Sequence, residues 1–418
     1  MTYQLNVLLL ILVLSGHTAI GQSPVRQELA KEIDQLLQSE IDNGKIPGAV
    51  IQIKKGSEIR YRQAYGYARE FDSSLHRLTS PEKTSPGHLY DLASLTKVTG
   101  TTTSIMLLVD RGLIRVDDPV GKYIAAFNTP EKKAITIRHL LTHSAGLIEW
   151  YPMFYRASNR QETYRLIGEL PLKYPVGTQR RYSDLGFVLL GEIIEKVSGL
   201  PLEQFMAENI FKPLGMEHTT YLPLASGRFK KIAATSHGNP FETRMVHDPS
   251  LGFQPKEIAP DSWNGWRNYT LVGEVNDGNA WYALGGVSGA AGLFSTVGDL
   301  QKLVDMLQNK GKVSDRQFIS AGTIDTFLTQ DQFRNGLGWM MDPTNPVMKN
   351  APEGSFGHTG FTGTSIAVVP KYDLSVILLI NRQNVGLQPS GAYYNLGPLR
   401  EKIFAVAMKY GTGEAGSK

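Results

Sequence analysis

No cysteine occurs anywhere in the 418 residues. That absence excludes disulfides, a thiol nucleophile, a Cys-ligated zinc and a lipidated cysteine anchor. Runs of one charge are missing too. The 43 Lys and Arg against 39 Asp and Glu leave a net charge of only +4, which argues against a nucleic-acid partner. No segment reaches the ~20 apolar residues that a membrane-spanning helix needs, so none is expected in the mature chain. There is no Gly-x-Ser-x-Gly elbow, which disfavours an α/β-hydrolase. No His-Glu-x-x-His occurs either, and His139 and His143, four apart, have no nearby carboxylate in sequence to complete a metal site. They read as capping or core histidines, and no metal is expected.

What is present begins with the apolar run Val7–Leu14, followed by small residues at Ala19 and Gly21. This reads as a signal peptide over 1–21, cleaved before Gln22, although its only N-terminal charge is the α-amino group. The mature chain, 22–418, is then an exported protein, periplasmic or secreted from a bacterium. Its 41% hydrophobic and 20% charged residues suit one large domain with a substantial core.

Leu29, Ile33, Leu36, Leu37 and Ile41 recur at helical spacing, predicting a helix over about 25–43. Ala49–Lys54, a Lys55-Gly56 turn and Glu58–Gln63 read as an antiparallel hairpin. A buried helix starts near Ser94, and another runs from Phe187 to Val197 and stops at Gly199. The stretch 219–286 is rich in loops and aromatics and reads as an elaborated insertion whose Trp263, Trp266, Tyr269, Trp281 and Tyr282 need burial or a ligand. Gly285–Gly292 lacks the Gly-Lys-Ser/Thr ending of a phosphate loop and reads as a tight turn. Near the end, Gly357–Pro370 and Leu374–Asn381 read as paired strands before a closing helix over about 397–410. The expected fold is α+β, an antiparallel sheet built from both chain ends and flanked by helices. Within the single domain the sheet part spans about 25–92 and 290–418, and a helical and loop-rich insert spans 93–289.

The chemistry centres on Ser94-x-x-Lys97. Three residues apart on a helix, these side chains share a face. The lysine then assists the serine hydroxyl either as a charge or, with its pKa depressed by burial, as a free amine. Alone, such a pair is common and proves little. Two further signals stand in order behind it, Tyr182-Ser-Asp184 and His358-Thr359-Gly360. Together with Arg138–Leu147, Pro213–Met216 and Gly289–Ser295, they resemble the serine β-lactamase and penicillin-binding-protein superfamily, in the branch of class C β-lactamases, DD-carboxypeptidases and related esterases.

That resemblance implies a β-lactamase/transpeptidase-like fold and an acyl-enzyme on Ser94, with no cofactor. Lys97 would hold the proton-transfer network. Tyr182, its pKa drawn down by positive charge, would be general base and then acid. The backbone N–H groups of Ser94 and Phe361 would form the oxyanion hole, and Asp184, His358, Thr359 and Gly360 would orient the substrate. Three departures stand out: Asp184 where class C enzymes often carry Asn, His358 in place of Lys, and Ala290 where His is expected. An Asp184–Lys97 ion pair would keep the lysine protonated, and a neutral imidazole is a weaker anchor for a substrate carboxylate than an ammonium. The expected substrates are D-Ala-D-Ala-like peptides, peptidoglycan stem peptides among them, or small carboxylic esters, with β-lactams a minor share. The competing reading is a non-catalytic sensor of penicillin or peptidoglycan fragments on the same scaffold.

Overall fold

The computed structural model describes residues 24–412; the predicted signal peptide lies outside them. Helix α1 (Pro24–Asp42) leads into β1 (Gly48–Lys55), β2 (Glu58–Phe71) and β3 (Arg77–Lys83). The other three strands of the main sheet come from the far end of the chain: β4 (Phe356–Thr359), β5 (Ser365–Val369) and β6 (Leu374–Ile380). All pairings are antiparallel, in the order β4-β5-β6-β1-β2-β3. The two chain ends meet where β1 pairs with β6, Ile51 opposite Leu378. Strand β2 outruns the predicted hairpin, and β3 was not expected: its sequence is mostly polar and exposed, which leaves no alternating apolar signal to read.

The central strands are buried on both faces, which explains their near-continuous apolar text. On one face Ala49, Ile51 and Ile53 of β1 and Leu378 and Ile380 of β6 pack against Leu29, Ile33 and Leu37 of α1. Leu399, Ile403 and Phe404 of a closing helix (Gly397–Gly411) join them. The opposite face, with Val50, Ile377 and Leu379, joins the larger core formed by the middle of the chain. The one polar side chain in mid-β1, Gln52, is fully buried but satisfied, bonding Gln301 at 2.8 Å and Arg62 at 2.6 Å.

That middle supplies α2 (Thr103–Asp110), α3 (Ile137–Leu141), α4 (Asp184–Ser198), α5 (Pro240–His247) and α6 (Val297–Gln308). Helix α4 is buried along most of its length and ends on Gly199 at φ 71°, as a left-handed cap requires. No described helix is long and apolar enough to cross a membrane. His139 sits in a capping box with Thr136 at the start of α3, the structural role read from the sequence. In the loop-rich stretch, Trp263, Trp266 and Tyr282 pack with Phe154 and Tyr155, and Arg267 covers Trp281. Tyr269 stays 44% exposed.

Candidate active site

Ser94 stands on a tight turn between the sheet and the helical middle. Residues 92–97 form successive three-residue turns, from Leu95 N–H to Leu92 O and onward to Lys97 N–H and Ser94 O. Ala93 is forced to φ 44°, a left-handed conformation unusual for alanine. The buried Asp91 carboxylate holds this turn, accepting from Ala93 N–H at 2.9 Å and from Asn276 N–H at 2.6 Å. A π-helical turn over Lys97–Thr102 then runs into α2, and residues 97–102 are buried throughout.

Lys97 is the hub. Its Nζ donates to Ser94 Oγ at 3.0 Å and to Ala290 O at 2.9 Å, and pairs with Asp184 Oδ1 at 2.7 Å. Burial pushes its pKa down, but Asp184 and Tyr182 outweigh that and hold it above the ordinary lysine value. That direction fits the charged one of the two roles open in the sequence. Asp184 reaches this position as the first residue of α4, where a carboxylate also suits the positive helix end. Ala290 brings no side-chain function, but its turn presents the carbonyl. Gly289 lies so close to α4 that a Cβ would sit 2.1 Å from Phe187 O.

Tyr182 corrects one expectation. Its pKa is raised, not lowered: burial dominates, and the nearby Lys97 charge offsets it only in part. Ser94 and Lys97 lie near enough to act on the phenol, yet no well-aligned hydrogen bond closes on its buried hydroxyl. The ring lies against His143, centroids 4.4 Å apart. His143 is more than a core histidine: at φ 57° it accepts from Ser183 N–H at 3.1 Å and so props the tyrosine segment. Burial keeps its pKa well below the ordinary histidine value. His358 is likewise neutral, its pKa pushed down to about 3, by burial first and the Lys97 charge next. Its Nδ1 contacts Thr359 O at 2.9 Å, so Nδ1 carries the proton.

Strand β4 is the sheet edge, and Phe361 follows it after Gly360. The turn beyond β4 is stitched to the nucleophile: Thr362 Oγ1 donates to Asp91 O at 2.7 Å and Thr364 Oγ1 to Leu92 O at 3.0 Å. Gly360 permits that approach, because a Cβ there would meet Leu92 O at 2.3 Å. Among the described residues, no backbone hydrogen bond is donated by the N–H of Ser94 or of Phe361. Arg382 fastens Phe361 from behind, donating to its carbonyl and stacking between its ring and that of Tyr393. Thr359 ends β4 opposite Ser365, and no side-chain bond ties it to the cavity.

A cavity of 410 Å³ opens on Ser94, Tyr182, Asp184 and Phe361. Of the other predicted residues, Lys97 and His358 lie behind it. The far wall comes from the loop-rich stretch, through Phe241, Glu242, Met245, Phe253, Asn276 and Asp277. Sequence reasoning missed Glu242, Asp277, His143's prop and Arg382. Glu242, Asp277 and Arg382 stand in no motif with a chemical signature; His143 lies in the Arg138–Leu147 stretch, whose spacing to Ser183 no local pattern reveals.

The Beta-lactamase family matches residues 33–396. A protein of Escherichia coli O157:H7 named "Putative D-alanyl-D-alanine carboxypeptidase" is 34% identical over 377 residues, covering 85% of this chain and 82% of its own. The "N-acetylmuramyl-L-alanine amidase" of Bacillus subtilis is 32% identical over 380 residues, covering 85% and 81%. Among solved structures, the octameric penicillin-binding protein homologue from Pyrococcus abyssi superposes with a TM-score of 0.66 at 23% identity, over 91% of this chain and 77% of that one.

Proposed function

The chain belongs to the β-lactamase family, and from that premise we propose that it is a serine hydrolase working through an acyl-enzyme on Ser94. The observation that carries this is the buried Lys97 ammonium, 3.0 Å from Ser94 Oγ and 2.7 Å from Asp184. A charged lysine cannot accept the serine proton, but it stabilises the alkoxide as it forms. Tyr182, neutral and unpartnered, suits a concerted transfer. In one step the Oγ–carbonyl bond forms and the bond from the carbonyl carbon to the leaving nitrogen or oxygen breaks, while Tyr182 takes the Oγ proton and passes its own to the leaving atom. Water then repeats the step in reverse, returning a proton to Ser94. The free N–H groups of Ser94 and Phe361 receive the carbonyl oxygen.

For substrate we propose an amide of D-Ala-D-Ala-like peptides; one relative is named for D-alanyl-D-alanine and the other for N-acetylmuramyl-L-alanine. The apolar side chains in the cavity wall favour small esters as a second reading. We also propose export, resting on Val7–Leu14 and the small residues after it; N-terminal sequencing of the protein recovered from its host would show Gln22 first.

The test is intact-protein mass spectrometry with a fluorescent penicillin, beside hydrolysis of p-nitrophenyl acetate and butyrate. A stable adduct on Ser94 with little ester turnover supports the peptidase, and fast ester turnover without an adduct supports the esterase. Neither signal in a folded protein would move the assignment to a non-catalytic binding protein. Ser94→Ala must abolish both signals; turnover at the wild-type rate in that variant would refute the assignment.

A further inference from the structure

Two carboxyl groups in the wall of the Ser94 cavity take no part in the acyl transfer described above: Glu242 and Asp277. Glu242, in the first turn of α5, accepts from Asn239 Nδ2 at 2.8 Å and from Gly278 N–H at 2.9 Å. The approach is close: a Cβ at Gly278 would stand 2.4 Å from Glu242 Oε2 and displace the carboxyl. Asp277 accepts from Ala280 N–H at 2.7 Å. Both side chains are thereby aimed and held by backbone donors.

Neither carboxyl has an ion-pair partner among the described residues. The two cations that act on them are engaged elsewhere. Arg267 bonds Asn239, Glu274 and the carbonyls of Val275 and Asn276, and Lys97 is paired with Asp184. Glu149 and Asp184 bring the carboxyls lining the cavity to four, and no Lys, Arg or His lines it. Tyr182 lines the same space, with its buried hydroxyl turned toward Ser94 and Lys97 and closed by no well-aligned hydrogen bond. Burial raises the pKa of both acids. For Glu242 the charge of Asp277 adds to this, and for Asp277 that of Asp184. Burial and mutual repulsion hold the pair back from full ionisation, and a bound ammonium favours its charged form.

We propose that this cavity recognises an ammonium group on the part of the substrate it encloses, with Glu242 and Asp277 as the specificity-determining residues. The inference rests on Ser94 as the nucleophile, since that places the cavity beside the reacting carbonyl. It runs against recognition of a substrate carboxylate in this space: Asp184 and Glu149 are paired with Lys97 and Arg181, Glu242 and Asp277 would repel a carboxylate, and the neutral His358 offers no compensating charge.

The experiment uses the full chain and three esters of matched length: p-nitrophenyl 6-aminohexanoate, p-nitrophenyl heptanoate and p-nitrophenyl hydrogen adipate. The ratio of kcat/KM between esters is taken within each enzyme, which cancels losses of active protein. One charge-assisted contact gives a preference of about tenfold. The wild type should favour the ammonium ester over heptanoate by about that factor and rank the adipate last. Glu242→Gln and Asp277→Asn should each bring the ammonium-to-heptanoate ratio down toward unity. If neither ester is turned over, the same ratio is read from protection of Ser94 against a fluorophosphonate by 6-aminohexanamide and by heptanamide. A wild-type ratio at or below unity, or a ratio unchanged in both variants, overturns the proposal. Turnover surviving in Ser94→Ala would instead overturn the nucleophile, so the two failures are separable.

Discussion

Replacing Asp184 by Asn is the sharpest probe of the Lys97 hub. At 2.7 Å the pair attracts by on the order of 6 kcal/mol at an effective dielectric of ~20, before desolvation takes its share. The amide keeps the shape but leaves the ammonium unpaired, and the Lys97 side chain is only 1% exposed. Breaking such a pair costs about 3–5 kcal/mol. The reverse change, Lys97→Met, should cost less, because the Asp184 side chain is 25% exposed and water can solvate it. In Asp184→Asn, burial acts on Lys97 with less opposition, and its folded pKa falls below the unfolded value near ~10.4. The unfolded state then binds more protons over that window, so the variant gains stability as pH rises toward ~10. The wild type, with Lys97 raised above that value, does not. Urea denaturation at pH 6.5 and 9.5 of wild type, both single variants and the double variant measures all of this. A Lys97–Asp184 coupling energy of about 2 kcal/mol or more at pH 6.5 is expected. A coupling below about 0.5 kcal/mol, with Asp184→Asn no less stable than wild type at either pH, would refute the buried charged pair.

Tyr182→Phe should lower turnover by about 10²–10⁴ while the far-UV circular dichroism is unchanged, since the hydroxyl has no structural partner; turnover near the wild-type level would remove Tyr182 from the proton path. Gly360→Ala sets a methyl 2.3 Å from Leu92 O, so kcat for ester hydrolysis should fall at least about tenfold as the Phe361 turn is pushed from Ser94. An unaffected kcat would mean that this turn supplies no oxyanion donor. Asp91 is pushed up to about 6, chiefly by burial. Its raised pKa contributes stability that is complete below about 4 and is lost as pH rises through about 6. Asp91→Asn should therefore flatten that part of the urea midpoint-versus-pH curve, and an unchanged slope would contradict the shift.

Much of the fold was legible because burial leaves continuous apolar runs in strands covered on both faces and helical periodicity in helices covered on one. The apolar stretches of β1 and β6 announced the central strands, and Leu29, Ile33 and Leu37 announced α1. Strand β3 was not legible, since an exposed polar edge carries no such pattern. The spacing Ser94-x-x-Lys97 set the two side chains within one helical turn, and the tyrosine and histidine triads marked the remaining elements of the centre. Their ionisation was another matter. The sequence places a tyrosine near a lysine and suggests a lowered pKa, whereas in the folded chain the desolvation of Tyr182 is the larger effect.

By itself, then, the sequence determined the order of the elements, the sheet made from both chain ends, and the residues proposed to carry the acyl transfer, because each of these is written in local spacing and residue type. Only the tertiary structure decided which groups carry charge, that Arg382 and His143 brace the centre, and that Glu242 and Asp277 face the space beside Ser94. Charge state and cavity composition depend on distances between residues far apart in the chain. Those distances exist only after packing has removed the water between them.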